Sequence, residues 1–90
     1  MHKVYVLDRV TERHPNVSKD DAVQAWSHCL RSTPDFGRDP MRYVAVGIDG
    51  KGRFVELVVI RKSIEEWIII HAQTPPQEAI KRKLGLKGLL

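Results

Sequence analysis

Glu56 and His71 lie within two neighbouring apolar runs, Phe54-Val-Glu-Leu-Val-Val-Ile60 and Trp67-Ile-Ile-Ile-His-Ala-Gln73. Runs this rich in Val and Ile form strands in a packed sheet. A carboxylate and an imidazole inside such strands cost burial energy unless they pair or face a wet cleft. If the two runs make a hairpin, the two polar side chains oppose each other. An imidazole beside a carboxylate suits general acid or base work near neutral pH. A structural hydrogen-bonded pair beneath a C-terminal helix would use the same residues, and the sequence alone leaves both readings open.

Other residues bear on the same chemistry. His14, between Arg13 and Pro15, reads by itself as a surface or capping histidine. Arg42, Arg53 and Arg61 fall at strand ends, where arginines commonly snorkel and where phosphate-binding arginines would also stand. Gln73 closes the last apolar run. Lys81, Arg82 and Lys83 either complement a helix C-terminus or touch a nucleic-acid backbone. No Gly-rich phosphate loop, zinc-ligand spacing or serine-nucleophile motif occurs, so no metal or small-molecule cofactor is expected.

The elements that must position these groups follow from local pattern. Residues 3–7 read as a short strand or as the lead into a short helix through Asp8–His14. Pro15-Asn16 breaks the chain. Ser18 with Asp21 forms a capping-box-like start. Ala22, Ala25, Trp26, Cys29 and Leu30 then recur at helical spacing, which predicts an amphipathic helix over 19–31 with Cys29 in its buried stripe and His28 solvated. Ser32–Pro40, with two prolines and a glycine, reads as a loop. Arg42–Ile48, Arg53–Ile60 and about Glu66–Ala72 read as strands, joined by turns at Asp49–Gly52 and Arg61–Glu65. Thr74-Pro75 reads as a helix start, with a short helix over 76–84 stopped by Gly85.

Alternation then assigns faces. A four-residue turn at 49–52 pairs Ile48 with Arg53 and Val44 with Leu57, and a turn at Ser63-Ile64 pairs Leu57 with Ile70. Val44, Val46, Ile48, Val55, Leu57, Val59, Ile68 and Ile70 become the core face against Trp26. Ala45, Glu56 and His71 form one row on the opposite face, and Gly47, Phe54 and Gln73 the next. Polar groups mixed with Trp67, Ile69 and Phe54 suit a shallow groove or a surface covered by a partner. The expected fold class is α+β: N-terminal helical segments packed on a three- to four-stranded antiparallel β-meander, with a short C-terminal helix.

Composition sets the frame. Ninety residues make one domain, 1–90, with a single core. A single cysteine excludes an internal disulfide and fits a reducing compartment. No signal peptide or membrane-spanning segment is visible, so a cytoplasmic protein with no membrane association is expected. A formal charge of +4, from 15 basic and 11 acidic residues, favours an acidic partner such as RNA, DNA or an acidic protein surface.

Arg13-His-Pro-Asn-Val-Ser18 ahead of an amphipathic helix resembles the opening of the BrnT-like toxins. Arg42-Tyr-Val-Ala-Val-Gly47, Gly52-Arg-Phe-Val-Glu-Leu-Val58 and Ile69-Ile-His-Ala72 resemble that family's three strands in order. The likeness covers about residues 8–84, and its order and spacing carry it rather than any one motif. BrnT-like proteins are similar in fold to the RelE group of ribonuclease toxins. The resemblance implies a type II toxin that cleaves RNA without a metal and is neutralised by a cognate antitoxin, often of the ribbon-helix-helix type. Carried onto this chain, it implies a site drawing on His14, Arg42, Arg53, Glu56 and His71; beside it, Arg61 and Gln73 are further candidate RNA contacts on the strand ends. The chain departs from the family at Gln73-Thr74, where many members carry a basic residue. The competing expectation is a non-enzymatic module holding a protein or peptide partner on the mixed face, through Trp67 and Phe54.

Overall fold

The computed structural model describes residues 3–37 and 41–90. Its elements run β1 Lys3–Val6, α1 Asp8–Arg13, α2 Lys19–Ser27, β2 Cys29–Asp35, β3 Arg42–Ile48, β4 Phe54–Arg61, β5 Glu66–Gln73 and α3 Glu78–Lys83. The strands form one sheet in the order β1-β5-β4-β3-β2, antiparallel except that β1 runs parallel to β5.

This corrects the expected fold class: a five-stranded mixed sheet replaces helical segments on a three- to four-stranded meander. Two strands account for the difference. Val4 and Val6 lie beside Trp67 and Ile69, so the open choice at residues 3–7 resolves to strand β1. The helix expected over 19–31 stops at Ser27, and Cys29–Asp35 becomes edge strand β2 against β3. Pro34 is tolerated there because an edge strand leaves one side of its backbone unpaired. Cys29 is therefore exposed, outside the core stripe expected for it. The loop expected at Ser32–Pro40 is overturned for residues 32–35, and its residues 38–40 lie outside the described residues.

The start of α2 follows local rules. Ser18 Oγ accepts the Asp21 amide, and the Asp21 carboxylate accepts the Ser18 amide. Turns decide the rest. Five residues, 49–53, separate Ile48 from its partner Phe54, one more than expected. The Asp49 amide donates to the Arg53 carbonyl at 3.0 Å, closing a loop of residues 50–52 in which Gly52 at φ +78° takes the left-handed position. That extra residue moves β3 to the opposite parity: Ala45 faces Leu57 and Val46 faces Glu56. In β5, Val58 pairs with His71 and Val59 with Ile69, so Ile70 is an inserted bulge residue and Trp67 and Ile69 change face.

The core consequently forms between α1, α2 and the face bearing Ala45, Val55, Leu57, Val59, Ile69 and Ala72, which keeps Val55, Leu57 and Val59 of the expected core face and overturns it for Val44, Val46, Ile48, Ile68 and Ile70. Helix α2 lies so close to β3 that a Cβ at Gly47 would stand 1.8 Å from the Ala25 carbonyl oxygen. Trp26 packs against Trp67 with the rings tilted at 53° and centroids 5.1 Å apart. On the second face, Leu84 and Leu86 pack on Val46, with Ile80, Phe54 and Leu90 around them. Helix α3 begins at Glu78, two residues after the start expected at residue 76, and its N-cap is Gln77 rather than Thr74. The Thr74 hydroxyl donates to the Phe54 carbonyl at 2.6 Å rather than capping a helix.

Candidate active site

Glu56 and His71 both belong to the second face, and the structure brings them together. His71 Nε2 stands 2.8 Å from Glu56 Oε2. They do not share the expected row: Gln73 sits opposite Glu56, and His71 opposite Val58. The shift is two residues, which preserves the face, and the side chains meet along the diagonal. Glu56 is 2 % exposed and His71 24 %, so the carboxylate is sealed while the imidazole reaches solvent.

Glu56 accepts two further hydrogen bonds, from the Gln77 amide to Oε1 at 2.7 Å and from Gln77 Nε2 to Oε2 at 2.9 Å. Burial raises its pKa, but the bonds from His71 and Gln77 together outweigh burial and hold the carboxyl below its ordinary value. The carboxylate is thus ionised, oriented and fully engaged. Among the described residues, His71 Nδ1 makes no hydrogen bond, leaving that nitrogen available for proton exchange.

Helix α1 brings His14 onto this pair. Its ring meets the His71 ring edge-on with centroids 5.5 Å apart. A proximity that the sequence left open therefore sets a second imidazole against the one that Glu56 holds.

Glu56 and His71 line a cleft of about 470 Å³ between β2, β3, β4, β5, α1 and α3, whereas His14 meets His71 from outside the cleft lining. Val44, Val58 and Ile70 form its apolar floor, and Arg9, Arg13, Arg42 and Lys83 supply positive charge. Lys83 is paired with Asp35 at 2.8 Å, whereas Arg9, Arg13 and Arg42 form no ion pair among the described residues. Arg42 Nε is buried and, among the described residues, has no hydrogen-bond partner.

The other expected phosphate contacts lie elsewhere. Arg53 joins α2 to the β3–β4 turn: Nε donates to Asp49 at 2.8 Å, Nη2 to Asp21 at 3.1 Å and Nη1 to the Asn16 carbonyl at 2.9 Å. Arg61 lies over Trp67, 5.3 Å from the ring centroid, and donates to the Ser63 and Ile64 carbonyls. Gln73 is half-buried beside Glu56 but does not line the cleft. Sequence reasoning missed Arg9, Arg13 and Gln77 as site residues. Arg13 stood next to His14, which was a usable signal. Gln77 had none, because its role depends on how the chain returns after β5.

Among the described residues, no group of three or more His, Cys, Asp or Glu is placed to hold a metal ion, and no helix is long and apolar enough to cross a membrane. No family model, curated protein or solved structure matches the chain.

Proposed function

We propose that this protein is an endoribonuclease that cleaves RNA by general acid–base catalysis and serves as the toxin of a type II toxin–antitoxin pair. One observation carries the chemistry: His71 is held by Glu56, touched by His14, and opens into a cleft with three arginines free of ion pairs among the described residues. The toxin role and the antitoxin partner rest on the likeness of Arg13–Ser18 and the three strand segments to the BrnT-like family.

In this mechanism His71 takes the 2′-hydroxyl proton on Nδ1. The 2′-oxygen attacks phosphorus, the bond to the 5′-oxygen breaks, and protonated His14 gives its proton to that leaving oxygen. The products are a 2′,3′-cyclic phosphate and a 5′-hydroxyl. Arg42, with Arg9 and Arg13, offsets the charge that develops on the equatorial oxygens, the largest contribution expected in such a site. Arg53 and Arg61 have no part in it, being tied into the turns that carry them.

A docking module on the same face is less well supported. Trp67 packs on Trp26 and Tyr43, and Phe54 lies beside the C-terminal leucines, so the aromatics expected to receive a partner are engaged within the chain. The test is growth arrest on induction in a bacterial host, with RNA ends mapped alongside. Arrest with cyclic-phosphate ends, abolished by a folded Glu56→Ala/His71→Ala variant, is the expected result. Intact RNA in the presence of abundant folded wild type overturns the reading.

A further inference from the structure

Two of the three hydrogen bonds accepted by Glu56 come from a single residue outside the sheet. Gln77 is largely exposed and stands at the N-cap position of α3, with φ −68° and ψ 148°. Side chains at this position ordinarily accept a bond from the first helical amides. Gln77 makes no such bond. Its side-chain amide instead donates to Glu56 Oε2, the oxygen that also meets His71 Nε2. Its backbone N–H holds the other oxygen.

The segment carrying Gln77 is fastened on its far side. Arg31 Nη1 donates to the Leu84 and Gly85 carbonyls at 3.1 and 3.2 Å, and Lys83 pairs with Asp35. Ile80, Leu84 and Leu86 rest on the sheet face beside Val46. The docked segment therefore delivers both donors of Gln77 to one buried carboxylate.

We propose that Gln77 is the positioning residue of the Glu56–His71 pair, an inference that rests on the ribonuclease reading. With both oxygens held, the carboxylate plane is fixed and Oε2 is aimed at His71 Nε2. An ionised acceptor there keeps the imidazole proton on Nε2, so Nδ1 keeps the lone pair that receives the 2′-hydroxyl proton. Outer partners that orient a reactive imidazole act through tautomer and ring angle, and their loss typically costs about 10–100-fold in activity.

The experiment compares wild type, Gln77→Ala and Gln77→Glu in cleavage of a fluorogenic RNA across pH, with His71 tautomers followed by ¹⁵N spectroscopy. Gln77→Ala should lower kcat about tenfold with KM little changed. Gln77→Glu sets a second carboxylate against Glu56. Relative to wild type at the same pH, its kcat should be about 100-fold lower at pH 7 and close on wild type as the pH drops, because the introduced carboxyl donates again once protonated. A merely structural role would change Tm and the folded fraction while leaving the kcat of the folded protein and the His71 tautomer unmoved. In both variants at pH 7 the His71 spectrum should lose its single tautomer.

Unchanged kcat in both folded variants, or an unchanged His71 spectrum, overturns the positioning role. Wild type without RNA cleavage overturns the ribonuclease reading instead. The spectrum still reports on Gln77 in that case, so the two failures are distinguishable.

Discussion

Glu56→Gln preserves shape at the centre of the site and changes only charge and donor pattern. Glu56 accepts three hydrogen bonds at 2.7–2.9 Å, and bonds to a charged acceptor contribute about 1.5–3 kcal/mol each. A glutamine can be seated in two ways. With its carbonyl at the Oε2 position, it keeps the His71 and Gln77 side-chain bonds, but its NH2 meets the Gln77 backbone N–H. With its carbonyl at the Oε1 position, its NH2 meets both His71, which must move its proton to Nδ1 to accept, and the Gln77 side-chain amide, which must turn over to present its oxygen. The first seating is the less costly because it forfeits only one charge-assisted bond, so destabilisation at pH 7 should be about 2 kcal/mol. For a domain of 90 residues this lowers Tm by about 10 °C.

The pH dependence has a definite sign. The folded pKa of Glu56 is held below the ordinary 4.5, so its contribution is complete at neutral pH. It is lost as the pH falls from about 4.5 through the lowered folded value. The stability gap between wild type and Glu56→Gln should therefore be widest at pH 7 and close in acid. Cleavage should fall about 10²–10⁴-fold at pH 7, the scale on which a misplaced imidazole proton acts in a comparable triad. Urea titrations at several pH values, read with single-turnover cleavage, measure both effects. A gap that stays constant with pH, or a folded variant that cleaves like wild type, would refute the reasoning.

Further outcomes follow from the same geometry. Gly47→Ala places a Cβ 1.8 Å from the Ala25 carbonyl oxygen, backbone that can yield only if α2 moves, so urea unfolding should show a loss of about 3 kcal/mol or more. Arg53→Ala leaves buried Asp49 and Asp21 short of a partner and should lower Tm while leaving cleavage by the folded fraction intact. Arg42→Ala should show the reverse, lost cleavage with little change in Tm, and equal loss of cleavage in both variants would remove Arg42 from the site. Burial raises the pKa of Asp21 and Asp49, but their hydrogen bonds from Ser18, Lys51 and Arg53 outweigh it and hold both below 3.8. Thermal melts should accordingly show stability falling as the pH drops below about 4, a decline that Asp49→Asn reduces.

The sequence by itself determined what local rules reach. The Ser18–Asp21 capping box lies within four residues, and its hydrogen bonds form as their types predict. The Val- and Ile-rich runs became β3, β4 and β5, and the Asp49–Gly52 turn joined two of them. Glu56 and His71 were legible as neighbours because a register error of two residues leaves alternation intact. Only the tertiary structure decided the rest. One extra residue in the 49–53 loop turned over the face of β3, and the bulge at Ile70 turned over Trp67 and Ile69. Both depend on how a turn closes rather than on which residues favour strands. Edge strands β1 and β2 carry little periodicity of their own and exist because β5 and β3 offer unpaired backbone groups. The arrival of Arg9, Arg13, His14 and Gln77 around His71 requires α1 and α3 to be docked, a consequence of long-range packing that alternation along one strand does not encode.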